Sequence, residues 1–181
     1  AANSAEGWRL YVRRLDEWEP RAASFTAGTN PFFSPDGQWI AFLRDGNLEK
    51  MPVSGGPPQV ICKGGGRGRW LNDGTIVFGA WPKVGLWRVS SDGGTPRLIT
   101  RPSEGSGVWY LWPEPLPGDK GILFTVLQQG RTSIAVLAPG ADKPRILIES
   151  ASHPRYLPTG HLVYMAESHL MAVRFDVERL E

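Results

Sequence analysis

The feature that most restricts how this chain can fold is a phrase that returns four times: an aromatic or Pro residue, a turn of the Pro/Asn-Asp-Gly kind, a short apolar run, then a second strand-like segment and a Gly-rich corner. The clearest copy runs Asn30-Pro31-Phe32-Phe33-Ser34-Pro35-Asp36-Gly37, then Gln38-Trp39-Ile40-Ala41-Phe42-Leu43, then Leu48 to Val53 with Ser54-Gly55-Gly56. A second starts at Arg69-Trp70-Leu71-Asn72-Asp73-Gly74, a looser third at Pro115-Leu116-Pro117-Gly118-Asp119, and a fourth at Arg155-Tyr156-Leu157-Pro158-Thr159-Gly160. With Phe33, Trp70, Pro115 and Tyr156 taken as equivalent, the intervals are 37, 45 and 41 residues. A period of about forty residues is the length of one four-stranded propeller blade.

The apolar runs are short, rich in Val, Ile, Phe and Trp, and bounded by Gly, Pro, Asp and Asn, which predicts an all-β, antiparallel chain joined by tight turns. Asp36-Gly37 and Asp73-Gly74 suit such turns, because Gly accepts a positive φ and the carboxylate can accept a bond from the backbone ahead of it. A single four-stranded sheet cannot cover both of its apolar faces, so the units must stack on one another about an axis. The expectation is a β-propeller of four-stranded antiparallel blades. Its boundaries fall at a partial blade over 1–29, whole blades over 30–65, 66–106 and 107–151, and a partial blade over 152–181.

Phe33-Ser34-Pro35-Asp36-Gly37 followed by Trp39-Ile40-Ala41-Phe42 and closed by Pro52-Val53-Ser54-Gly55-Gly56 resembles the WD40-like (PD40) repeats of the TolB-type propeller family. The order of the whole chain is similar to the propeller sensor regions of bacterial serine/threonine protein kinases. The resemblance implies a non-catalytic sensor or protein-binding module in an extracytoplasmic or periplasmic setting. The third repeat departs from the pattern, since Gly118-Asp119 reverses the usual order and one residue is inserted.

Trp8–Leu15 and Leu170–Asp176 both match the third strand of a repeat, so both ends fall within a blade, and about seventeen strands are predicted. A ring of about six to eight blades, of which this stretch is a part, suits that arithmetic better than a closed ring of four with a strand over. Ala1-Ala2-Asn3-Ser4 stands where an initiator Met would be, as in a cut or processed chain. Completion of the ring by self-association is a further expectation, since open sheet edges and blade faces favour association.

The 181 residues are 41% hydrophobic with eight Trp, enough for a substantial core. No run approaches a membrane span and no leader pattern is present. Twenty basic against eighteen acidic residues leave a net charge of +2, too balanced for a general nucleic-acid footprint. The single Cys62 excludes an intramolecular disulfide and reads as a buried strand residue.

Catalytic signatures are missing: there is no Gly-x-Ser-x-Gly elbow, no phosphate-binding loop, and Gly64-Gly65-Gly66-Arg67-Gly68 lacks the spacing of a dinucleotide site. His153, His161 and His169 recur every eight residues without a metal-ligand set around them, so neither metal nor cofactor is expected. The enzyme question leans to no.

The sites to watch lie where each first strand begins, because those entries crowd around one mouth of the central channel. They are Asn30, Arg67, Arg69, Trp112, Glu114, His153 and Arg155, with Trp109 in the longest connection. Arginine and aromatic rims make peptide and protein hot spots, and could also take a small anionic or sugar-like ligand. Phe33, Trp70, Trp87 and Tyr156 are expected to pack between blades. Two alternatives stand beside the binding module: the gating propeller of a prolyl oligopeptidase-like hydrolase, or a propeller lyase or hydrolase acting through His153, Glu114 and Arg155.

Overall fold

The computed structural model describes residues 2–4, 7–79 and 84–181. Ala1 and short stretches within the expected units 1–29 and 66–106 lie outside the described residues. The fold is an all-β propeller of antiparallel sheets, each formed from strands consecutive in sequence.

The first sheet holds β1 (Ala2–Ser4), β2 (Gly7–Val12) and β3 (Arg21–Ala27), and the second β4 (Thr29–Phe33), β5 (Trp39–Arg44), β6 (Asn47–Pro52) and β7 (Gln59–Lys63). The third holds β8 (Gly68–Trp70), β9 (Thr75–Gly79), β10 (Leu86–Ser90) and β11 (Arg97–Thr100). The fourth holds β12 (Val108–Pro115), β13 (Ile122–Gln128), β14 (Arg131–Leu137) and β15 (Arg145–Glu149), and the fifth β16 (Ala151–Leu157), β17 (His161–Ala166) and β18 (His169–Arg174). The described residues therefore form eighteen strands rather than about seventeen, the addition being β1, which pairs with the strand expected at Trp8–Leu15.

Pairing register supports the repeat alignment residue by residue. Phe33 faces Ile40, Trp70 faces Ile76, Pro115 faces Ile122 and Tyr156 faces Leu162, each the last or next-to-last pair before a turn. The residue inserted in the third repeat is absorbed by a short 3-10 turn at Pro117–Asp119, with Gly118 at φ 64°, and the Leu116 N–H still reaches the Gly121 carbonyl at 2.8 Å. The same closure joins Ser34 to Trp39 at 2.9 Å and Leu71 to Thr75 at 2.8 Å. In the turns themselves, Asp36 accepts from the Gln38 N–H at 3.0 Å and Asp73 from the Thr75 N–H at 2.8 Å, the structural role expected of both carboxylates.

Four apolar cores join the five sheets in sequence. Leu10, Ile40, Phe42 and Met51 fill the first gap; Ala41, Leu48, Ile61, Ile76, Phe78 and Val89 the second. Val77, Leu86, Tyr110, Phe124 and Leu137 fill the third, and Leu123, Ile134, Val136, Leu162, Tyr164 and Phe175 the fourth. Neighbours on one strand thus serve different gaps, Ala41 one and Phe42 another, because alternate side chains point to opposite faces.

Trp70 and Trp87 pack on the second core and Tyr156 on the fourth, as expected. Phe33 does not: it is 56% exposed. Trp70 and Tyr156 pack into the gap toward the preceding sheet; for Phe33 that neighbour is the first sheet, which has three strands instead of four. On the fifth sheet, β18 is exposed along its length, including Leu170, Met171 and Val173.

Phe42 is fully buried between the first two sheets. Phe42→Ala should lower unfolding stability by about 3–5 kcal/mol in a urea titration, whereas Val173→Ala on the exposed strand should change it by less than about 0.5 kcal/mol. Cys62 is also buried, and burial pushes its thiol up to about 11. A thiol reagent at neutral pH should therefore label Cys62 only as fast as the protein opens; rapid labelling of the folded protein would contradict this placement.

Candidate functional site

The innermost strands β4, β8, β12 and β16 pack on one another in turn, so equivalent residues from four sheets meet at the axis. Three of these strands are bulged at the same repeat position: register shifts lie between Thr29 and Phe32, between Leu111 and Glu114, and between Ser152 and Arg155. Within each bulge one residue preceding a proline takes a left-handed backbone: Asn30 at φ 53°, Trp112 at 50° and His153 at 56°. Such bulges re-aim side chains and tend to accompany function. The fourth strand solves the same problem with Gly68 in place of proline, where a Cβ would stand 2.8 Å from the Val77 carbonyl oxygen.

Two tiers of side chains result. In the first tier each member touches the next around the mouth. Arg67 Nε donates to Asn30 Oδ1 at 2.7 Å, its guanidinium lies 5.8 Å from the centre of the Trp112 ring, and that ring stacks on His153 with centroids 3.6 Å apart and planes 22° apart. The His153 ring also bonds Ser152 Oγ through Nδ1 at 2.9 Å, and its backbone N–H donates to Thr125 Oγ1 at 2.9 Å, which ties the bulge to the neighbouring sheet.

In the second tier Arg69 Nε and Arg155 NH1 both donate to one oxygen of Glu114, at 2.6 and 2.9 Å. The Glu114 side chain is only 12% exposed, so its charge is compensated mainly by these two guanidiniums. Phe32 occupies the equivalent place on β4 and packs instead on the second core. The tiers and the turns above them bound an open cavity of about 1270 Å³.

Seven of the residues singled out from the sequence, Asn30, Arg67, Arg69, Trp112, Glu114, His153 and Arg155, line this one cavity. Trp109 is not among the lining residues; it sits further along β12, opposite Leu127. His161 and His169 are also elsewhere, facing Arg174 and Ala166 at opposite ends of the β17–β18 ladder. Phe32, Phe33, Asp73 and Asp119 line the cavity too and were not singled out. The alignment column holding Arg69, Glu114 and Arg155 also holds Phe32, and could have pointed to it. Among the described residues, no group of three or more His, Cys, Asp or Glu is arranged to hold a metal, and no helix is long and apolar enough to cross a membrane.

Burial holds His153 below its ordinary value of 6.5, and the charges of Arg67 and Arg155 push the same way. Burial likewise lowers the pKa of Arg155, opposed by Glu114 and reinforced by Arg69 and Arg67. At neutral pH the His153 imidazole at the mouth is therefore uncharged.

No family model and no curated protein matches the sequence. Solved structures do. A TolB-assigned protein of Agrobacterium tumefaciens superposes with a TM-score of 0.63 at 18% identity, covering 81% of this chain and 59% of that one. A chain of a nidogen/laminin complex gives 0.65 at 14%, covering 86% and 65%. A prolyl endopeptidase gives 0.61 at 11%, covering 94% and 29%. These likenesses show the β-propeller fold, and this chain spans less than two thirds of each of the three proteins.

Two outcomes test the mouth. Glu114→Gln keeps the shape but leaves Arg69 and Arg155 without their counter-charge, and should cost about 1–3 kcal/mol in chemical denaturation, the lower part of the range because both arginines are over a third exposed. Arg155→Met should cost less, since Arg69 remains on the carboxylate. The second outcome concerns pH. The folded state resists protonating His153, which is partly buried beside the charges of Arg67 and Arg155, so as pH falls the unfolded chain takes up that proton first. Its contribution to stability is complete above about pH 6.5 and declines below it, and His153→Gln should flatten that slope in urea titrations run across the range.

Proposed function

We propose that this protein is a non-catalytic propeller module that receives a protein or peptide segment at the mouth formed by its inner strands. The observation that carries this reading is the convergence of Asn30, Arg67, Arg69, Trp112, Glu114, His153 and Arg155, from four different sheets, on one open cavity. Arg67 on Asn30, and Arg69 and Arg155 on Glu114, are already oriented by bonds that join one sheet to another, so a ligand would find that surface in place and lose little in ordering it. Arginine and tryptophan side by side are the residues that dominate protein interfaces energetically. Similarity to a chain from a nidogen/laminin complex, which is itself a protein assembly, is consistent with this use of the fold.

A non-catalytic role is supported by how the polar groups are engaged. His153 is stacked on Trp112 and bonded to Ser152, and the Glu114 carboxylate lies between two guanidiniums. Neither is arranged as an acid and base pair facing a common substrate atom. An extracytoplasmic setting accompanies this reading, on the strength of the resemblance to TolB-type repeats and the likeness to a TolB-assigned structure.

The likeness to a prolyl endopeptidase over 94% of this chain favours one second reading, an accessory propeller beside a hydrolase. A Gly-x-Ser-x-Gly elbow encoded beyond Glu181 would support it, and further repeats there would support the sensor module.

The principal test is a partner captured by affinity purification and then measured quantitatively. The triple change Arg67→Ala, Arg69→Ala, Trp112→Ala should weaken that partner by about a hundredfold or more, as expected when interface hot spots are removed. Wild-type affinity in a folded triple variant would overturn the mouth as the binding face.

A further inference from the structure

Positive charge is gathered around Arg155 at the mouth, where the charges of Arg69 and Arg67 act on it. Arg69 and Arg155 share one carboxylate, Glu114, both on the same oxygen, Oε2, while Arg67 bonds Asn30 beside them. Two further acids line the cavity at its turn end, where Asp73 bonds Thr75 and Asp119 lies 3.5 Å from Arg88. Like charges held together in a half-buried place cost free energy that an added anion would recover.

The donor geometry is equally specific. Arg67 and Arg69 each use only Nε, on Asn30 and Glu114, so among the described residues no acceptor takes their terminal amino groups. Arg155 uses NH1, on Glu114 and on the Pro154 carbonyl at 3.2 Å, and among the described residues no acceptor takes its NH2. Side-on anchoring through Nε fixes the plane of a guanidinium while its outer edge stays available, which is how a fork is prepared for an oxyanion. All three side chains line the same cavity, and they come from the third and fifth sheets with Glu114 of the fourth between them.

We propose that Arg67, Arg69 and Arg155 form an oxyanion subsite at the propeller mouth, which receives a carboxylate or phosphate group carried by the ligand. This deepens the docking reading above and rests on it, since the anion would anchor one point of a larger molecule in a cavity far bigger than the anion itself. Glu114 acts as the internal strut that keeps Arg69 and Arg155 in place and is not displaced.

The test follows the arginine Nε–H resonances of labelled protein at constant ionic strength, during titration with inorganic phosphate and, separately, with an acetylated and amidated Glu-Glu dipeptide. Arg67, Arg69 and Arg155 should shift together and saturably in the millimolar range with at least one probe, while the exposed Arg13 and Arg97 stay in place. The tighter probe identifies the natural oxyanion as phosphate or carboxylate. Arg69→Gln with Arg155→Gln should weaken binding about tenfold or more. Should that pair fail to fold, Arg67→Gln, which gives up a bond to Asn30 and a contact with the Trp112 ring, should still weaken it measurably.

No saturable shift with either probe, equal shifts at every arginine, or undiminished binding by the folded variants would each overturn the subsite. A partner that docks at the mouth but ignores both probes and the arginine variants would overturn the subsite and keep the docking reading. Saturable phosphate binding that fails to compete with such a partner would support the subsite and count against docking there.

Discussion

Every other feature of this molecule follows from the fact that its second, third and fourth sheets each have two oily faces and no means of covering either alone. A strand with Ala41 on one side and Phe42 on the other needs a neighbour in both directions. Four interblade cores meet that need, and because each is built from the same strand positions, the sheets repeat the same relation around an axis. Hydrophobic burial here has no direction of its own; the repeated geometry of the strands turns it into a propeller.

The axis is where that repetition becomes useful. Stacking brings the first strands of the last four sheets to the same place, so a column of the alignment becomes a run of neighbours. Asn30, Arg67, Trp112 and His153 touch one after another, and Arg69, Glu114 and Arg155 form an ion-paired bridge across three sheets. The cores can be apolar and alike because they only fill space. The axial columns carry different chemistry in each sheet, since their side chains look into an open cavity and need not match one another.

Much of this was legible before any coordinates. The period, the turn residues and the apolar runs led to blades and to their inner-strand entries, and the register pairs Phe33, Trp70, Pro115 and Tyr156 as the alignment does. Two readings needed the structure. Phe33 looked like an interblade residue because Trp70 and Tyr156 are, yet it is largely exposed beside a three-stranded sheet. Trp109 looked like part of the mouth because it lies near Trp112 in sequence. A bulge between Leu111 and Glu114 separates their directions, and a bulge of this kind depends on backbone dihedrals that residue identity only hints at.

Periodicity and turn chemistry are properties of neighbouring residues, so the chain by itself determined the strand content, the spacing of the blades and the column from which a site would be built. Only the folded arrangement decided that Arg69 and Arg155, far apart in sequence, would close on the same carboxylate oxygen, that the Trp112 ring would lie flat on His153, and that Arg67 would join them at one cavity. Those outcomes turn on distances of a few ångströms between separate sheets, and such distances are set by how the four cores pack.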